Sequence, residues 1–165
     1  MADLSEWVLL AYRLPREPST PRITLWRKLR RLGAVQMVDG LVALPASART
    51  REQFDWLADE VIEAGGEAWT WTAVPGSKAQ QKLLAARMSD AAAVDYRAVI
   101  DEAEQLASEE HLSRRTVGRL RRELRRIEAR DHFPPEEREL ARRAVERLGP
   151  AVDTVDPVDE EGSVR

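Results

Sequence analysis

The sequence predicts an α+β fold: a ferredoxin-like βαββαβ module followed by an α-helical extension. Three observations carry that reading. Over roughly residues 5 to 75, apolar alternation and helical spacing succeed one another in the order β-α-β-β-α-β. In the middle of this run, Asp39-Gly40 is a two-residue hairpin turn of the strongest kind. After Pro75-Gly76 the strand signals stop, and segments of helical period take over.

Each element has its own local warrant. "EWVLLAYRLP" is an apolar, β-rich run closed by Pro15, which reads as a buried first strand. Ser19-Thr20-Pro21 supplies a hydroxyl N-cap and a proline suited to a first helical turn, and Gly33 supplies the stop, so the first helix covers about residues 20–32. Residues 34–38 and 41–44 are antiparallel strands on either side of the Asp39-Gly40 turn, and Pro45 ends the second. Ser47 or Thr50 can cap the next helix. Phe54, Leu57, Ala58, Val61 and Ile62 recur in it at helical spacing until Gly65-Gly66. "EAWTWTAVP" is the fourth strand, with Trp69 and Trp71 on one face and Thr70 and Thr72 on the other. Packing against the two helices accounts for the tryptophans; a base-stacking platform is the alternative.

In the extension, residues 77–88 and 92–108 read as two helices. Ser113 caps a third, about 113–130, and Pro135, Glu136 and Glu137 open a last one that stops at Gly149-Pro150. The resulting domains are 1–75 for the α/β module, 76–149 for the helical extension and 150–165 for an acidic tail expected to be disordered.

Composition removes several chemistries. The 165-residue chain has no cysteine, and its histidines are His111 and His132 alone, so thiol catalysis, disulfides and Cys/His metal sites are set aside and no metal or cofactor is expected. The N-terminal apolar run has acids before it and is too short to span a bilayer, which points to a cytoplasmic protein without a membrane partner. Metal nucleases of this fold want an acid at the end of the first strand, where Tyr12, Arg13 and Leu14 stand here, and Asp39 is used by its turn. No catalytic residue emerges, and the chain is expected not to be an enzyme.

The net charge of −3 hides two basic islands. Residues 13–31 hold seven Arg or Lys against Glu17, and residues 114–130 hold eight Arg against Glu123 and Glu128. Residues 50–67, by contrast, hold six acids against Arg51. On a helical wheel Leu25, Leu29 and Leu32 form one side of the first helix, while Arg27, Lys28, Arg30 and Arg31 take the other, with Ile23 and Trp26 at the border. The 113–130 helix repeats the pattern around Val117, Leu120, Leu124 and Ile127. Solvated faces, partly neutralised by Glu-Arg pairs or by the acidic second helix, are one reading of both islands. A polyanion is the other: a face meant only for solubility usually mixes both signs, and arginine suits bidentate contact with phosphate. The candidate nucleic-acid-binding residues are Arg22, Arg27, Lys28, Arg30, Arg31, Arg119, Arg122, Arg125 and Arg126.

"WVLLAYRLPREPSTPRITLWRKLRRLGAVQMVDGLVALP", "EQFDWLADEVIEAGGEAWTW", "YRAVIDEAEQL" and "LRRIEARDHFPPEE" together resemble the N-terminal domain of the ChrB family, with Ile127, Arg130, Asp131 and Phe133 as its I-x-x-R-D-x-F segment. The resemblance implies a DNA-binding transcriptional regulator of chromate resistance whose N-terminal region contacts DNA. It also implies a further chromate-responsive domain, which this chain, stopping where that domain would begin, does not carry. The module is also similar to that of PaaX-type repressors and small CRISPR-associated nucleases. Expected partners are DNA, a second copy in a homodimer, and a separate ChrB C-terminal-like protein. The alternatives are a non-catalytic protein-interaction module and an arginine-lined oxyanion sensor.

Overall fold

The computed structural model describes residues 5–109 and 112–153. Nine elements follow in order: β1 (Trp7–Arg13), α1 (Thr20–Leu32), β2 (Val35–Val38), β3 (Leu41–Pro45), α2 (Ala48–Glu63), β4 (Glu67–Ala73), α3 (Lys78–Ala107), α4 (Arg114–Arg130) and α5 (Glu137–Asp153). The four strands form one sheet in the order β2-β3-β1-β4, with each neighbouring pair antiparallel. This is the α+β class expected, with the order of a split βαβ module.

The chain divides into two compact units, one formed by residues 1–92 with 130–134, the other by 93–129 with 135–165. In the first, alternation along β1 sends Val8 and Leu10 to the same sheet face as Val42 and Leu44. There they meet Leu25 and Leu29 of α1 and Phe54, Leu57 and Val61 of α2 in one buried cluster. In the second, α3, α4 and α5 bury Tyr96, Val99, Val117, Leu120, Leu124, Ile127, Val145 and Leu148.

Local signals placed most boundaries. Gly33, at φ 71°, ends α1, with its N–H donating to Arg30 O and that of Ala34 to Leu29 O, both at 3.1 Å. That pair of bonds is a Schellman turn. Ser47 and Thr50 act together as a capping box: the Thr50 N–H donates to Ser47 Oγ at 3.1 Å, and the Ser47 N–H to Thr50 Oγ1 at 2.9 Å. Ser47→Ala is expected to lower stability by about 1 kcal/mol, read as a drop in thermal midpoint. Ser113 Oγ accepts from Arg115 N at 3.1 Å at the start of α4.

Four expectations need correction. Ser19 makes no side-chain cap bond, because its backbone is already helical (φ −76°, ψ −18°) rather than extended as a capping hydroxyl requires. The helices expected over 77–88 and 92–108 are one continuous α3, since Ser89-Asp90-Ala91 contains neither Gly nor Pro and Ala92 and Ala93 favour helix. Helix α5 runs through Gly149-Pro150 to Asp153: a proline in the last turn removes a single hydrogen bond, a loss the helix end accommodates. Trp69 and Trp71 do not pack against α1 or α2. It is Thr70 that faces α2, donating from Oγ1 to Asp55 Oδ1 at 3.0 Å, while both tryptophans are exposed on the opposite face. The tail from residue 154 and His111 lie outside the described residues.

Candidate nucleic-acid interface

Helix α1 is held in the first unit by its leucines. Leu25 and Leu29 are buried, which turns Arg22, Arg27, Arg30 and Arg31 to solvent together with Ile23 and Trp26, 46% and 54% exposed. The basic residues then separate by what they touch. Lys28 lies on the flank toward α2, where Nζ donates to Glu60 Oε1 and Oε2 at 2.7 and 2.6 Å. The Arg30 guanidinium stands over the Trp26 ring, 5.3 Å from its centroid, a cation–π contact. Arg22, Arg27 and Arg31 have no carboxylate partner among the described residues. They are therefore the uncompensated charges of this helix.

The C-terminus of α1 is anchored by the segment Arg130–Pro134, which belongs to the same unit. His132 Nε2 donates to Leu32 O at 2.9 Å, satisfying a carbonyl that the helix end leaves open. Phe133 stacks on Trp7 of β1, with ring centroids 5.9 Å apart and planes at 20°. A Cβ on Gly33 would run into the carbonyl of Arg130, so this close approach needs glycine in addition to its left-handed φ. His132 is thus a cap for α1. The only sequence signal for it was the R-D-x-F segment, whose partner lies a hundred positions away.

Helix α4, in the second unit, presents a more neutralised face. Arg119 donates to Glu102, which raises the arginine pKa further through that hydrogen bond and the carboxylate charge. Arg126 pairs with Glu123 one turn back at 3.2 Å. Arg122 and Arg125 are exposed, with no carboxylate partner among the described residues. The rest of the unit is laced the same way: Arg142 bridges Glu128 and Glu139 at 2.6 and 2.7 Å, and Arg97 holds Glu137 at 2.7 Å, drawing that carboxyl below its ordinary range. Of the nine candidates, the structure leaves five uncompensated: three on α1 and two on α4. Lys28, Arg30, Arg119 and Arg126 are engaged within their own units.

The profile of the family described as "Protein ChrB, N-terminal" matches residues 22–156. The chain belongs to the ChrB N-terminal family. It is also 30% identical over 101 residues to Protein ChrB of Cupriavidus metallidurans (strain CH34), a match covering 61% of this chain and 28% of that relative. The match therefore spans well under a third of that ChrB. No solved structure matches the chain significantly. The family match begins at Arg22 in the first turn of α1 and runs past the I-x-x-R-D-x-F segment, so it includes all nine candidate residues. Among the described residues, no helix is long and apolar enough to cross a membrane.

Proposed function

We propose that this chain is a non-enzymatic, DNA-binding transcriptional regulator tied to chromate resistance, acting in the cytoplasm, in which outward arginines contact phosphates. The observation that carries the reading is the set Arg22, Arg27 and Arg31: the acidic helix α2 lies alongside and neutralises Lys28, yet none of these three arginines has a carboxylate partner among the described residues. Leaving three arginines uncompensated on one exposed helix costs stability through mutual repulsion, and a polyanion would offset that cost. Arg122 and Arg125 of α4 supply a second such set. Family membership supports the regulatory role.

The test is fluorescence polarisation with duplex DNA from the promoter of the protein's own operon and with a scrambled duplex, across a salt series. Phosphate contacts predict a log–log salt slope of about −0.9 per contact, hence near −3 from α1's arginines alone. Absence of binding to either duplex at low salt would sink the reading.

A specific observation favours a second reading. Ile23 and Trp26 stand exposed among the arginines of α1, and an apolar pair ringed by cations suits an acidic protein surface. The partner would be a separate ChrB C-terminal-like protein. Failure of DNA binding together with tight binding to such a protein, lost in Trp26→Ala, would select it. An oxyanion sensor needs arginines converging on one pocket. The cavity of about 480 Å³ at the start of α1, lined by Pro18, Thr20, Thr24 and Glu60, contains none.

A further inference from the structure

The two edges of the sheet are built differently. Strand β2 is four residues long and carries a register shift between Gln36 and Val38. Short length and a bulge are the usual means of blunting an edge against unwanted pairing. Strand β4 has neither. It is seven residues long, and all seven pair with β1 in unbroken register, from Arg13↔Glu67 to Trp7↔Ala73. It contains no lysine and no proline, and no described strand pairs with its outer side. Its one charge, Glu67, is matched by Arg13 of the adjacent strand at 2.8 Å. The tryptophans flanking its centre, Trp69 and Trp71, are 67% and 58% exposed. A long, regular, charge-neutral and aromatic edge is one made to be paired.

We propose that β4 is a homodimerisation strand: two copies of this chain pair antiparallel through β4, joining their sheets into one of eight strands about a two-fold axis at Thr70. The sequence of the strand, E-A-W-T-W-T-A, points to a second copy rather than to another ligand. Thr70 is its midpoint, so this register uses all seven residues. Trp69 of each copy then stands opposite Trp71 of the other, giving two cross-strand tryptophan pairs on the face away from α1 and α2. Glu67 falls opposite Ala73, so no like charges oppose each other along the strand. A nucleic acid is a poorer occupant, because the strand brings no cation of its own and the nearby Arg13 is already matched by Glu67. The interface uses the edge and the tryptophan face, so it leaves α1 open, and the inference stands whether or not α1 binds DNA.

Analytical ultracentrifugation of the full chain over a concentration series tests it, with circular dichroism as the check on folding. The wild type is expected to show a monomer–dimer equilibrium, and Trp69→Lys/Trp71→Lys to weaken it by about 100-fold or more, close to 3 kcal/mol. Because the chain has no cysteine, single cysteines report the register. Thr70→Cys, on the axis, forms a disulfide-linked dimer on mild oxidation, whereas Thr72→Cys, which faces residue 68 of the other copy, does not. If the lysine variant fails to fold, this cysteine pair decides. A wild type that stays monomeric at all concentrations overturns the proposal, as does a folded lysine variant that dimerises undiminished or a Thr72→Cys that cross-links as readily as Thr70→Cys. So does a monomer that binds single-stranded DNA through Trp69 and Trp71, since the face would then belong to nucleic acid.

Discussion

Arg27→Glu/Arg31→Glu is expected to weaken promoter binding by about 100-fold or more at low salt and to make the salt slope shallower by about 2. Both side chains are exposed on α1 and compensated by no carboxylate among the described residues, so each change removes a phosphate contact and adds a repulsive charge. Neither residue packs in the core formed by Leu25 and Leu29, and the variant should melt within a few degrees of the wild type. The informative control compares Arg27→Gln with Lys28→Gln. Each removes one formal charge from the same helix, but that of Lys28 is already spent on Glu60, and at a surface pair worth about 0–1 kcal/mol its effect on binding should be small. Equal losses in the two variants would mean that total charge, and not the uncompensated arginines, drives association.

Gly33→Ala is expected to destabilise the first unit strongly for a change of one methyl group. The position is left-handed at φ 71°, which alone costs an alanine about 1–2 kcal/mol. The new Cβ would also meet the Arg130 carbonyl, a backbone atom that cannot rotate away as a side chain can. Relieving the clash pulls Arg130–Pro134 off the end of α1, with loss of the His132–Leu32 bond and of the Phe133–Trp7 stack. A total of about 3 kcal/mol, or roughly 10 °C in melting temperature, follows. Gly65→Ala separates the two causes: it shares the left-handed backbone, at φ 80°, but its Cβ would meet nothing within 4 Å, so it should cost only the backbone strain. Similar melting points for the two variants would show that the Arg130 contact contributes nothing.

The first seventy-odd residues were legible because their signals are local. Asp39-Gly40 needs only its own backbone to turn, Gly33 only its own φ to end a helix, and the Ser47–Thr50 box spans four residues. Ser19 misled because cap geometry depends on the backbone entering the helix, which residue type does not report. The join of two expected helices into α3 shows the same weakness from the other side: Ser and Asp are poor helix formers but not breakers. The wheel gave the exposed faces of α1 and α4 correctly. It could not separate Lys28 from Arg27, or Arg119 from Arg122, because those differences rest on where Glu60 and Glu102 arrive in space. The orientation of β4 was likewise undetermined, since alternation defines two faces without saying which one the helices cover.

The return of residues 130–134 to the first unit bears on how the protein is made. The sheet, α1 and α2 are complete in the nascent chain long before Phe133 leaves the ribosome, so for that interval the Trp7 ring lacks its stacking partner and the last turn of α1 lacks its cap. The N-terminal half must wait, partly finished, for a segment translated after all of α3 and nearly all of α4. For the same reason no single cut releases an intact first unit: a fragment ending at residue 76 or 92 leaves its own keystone behind.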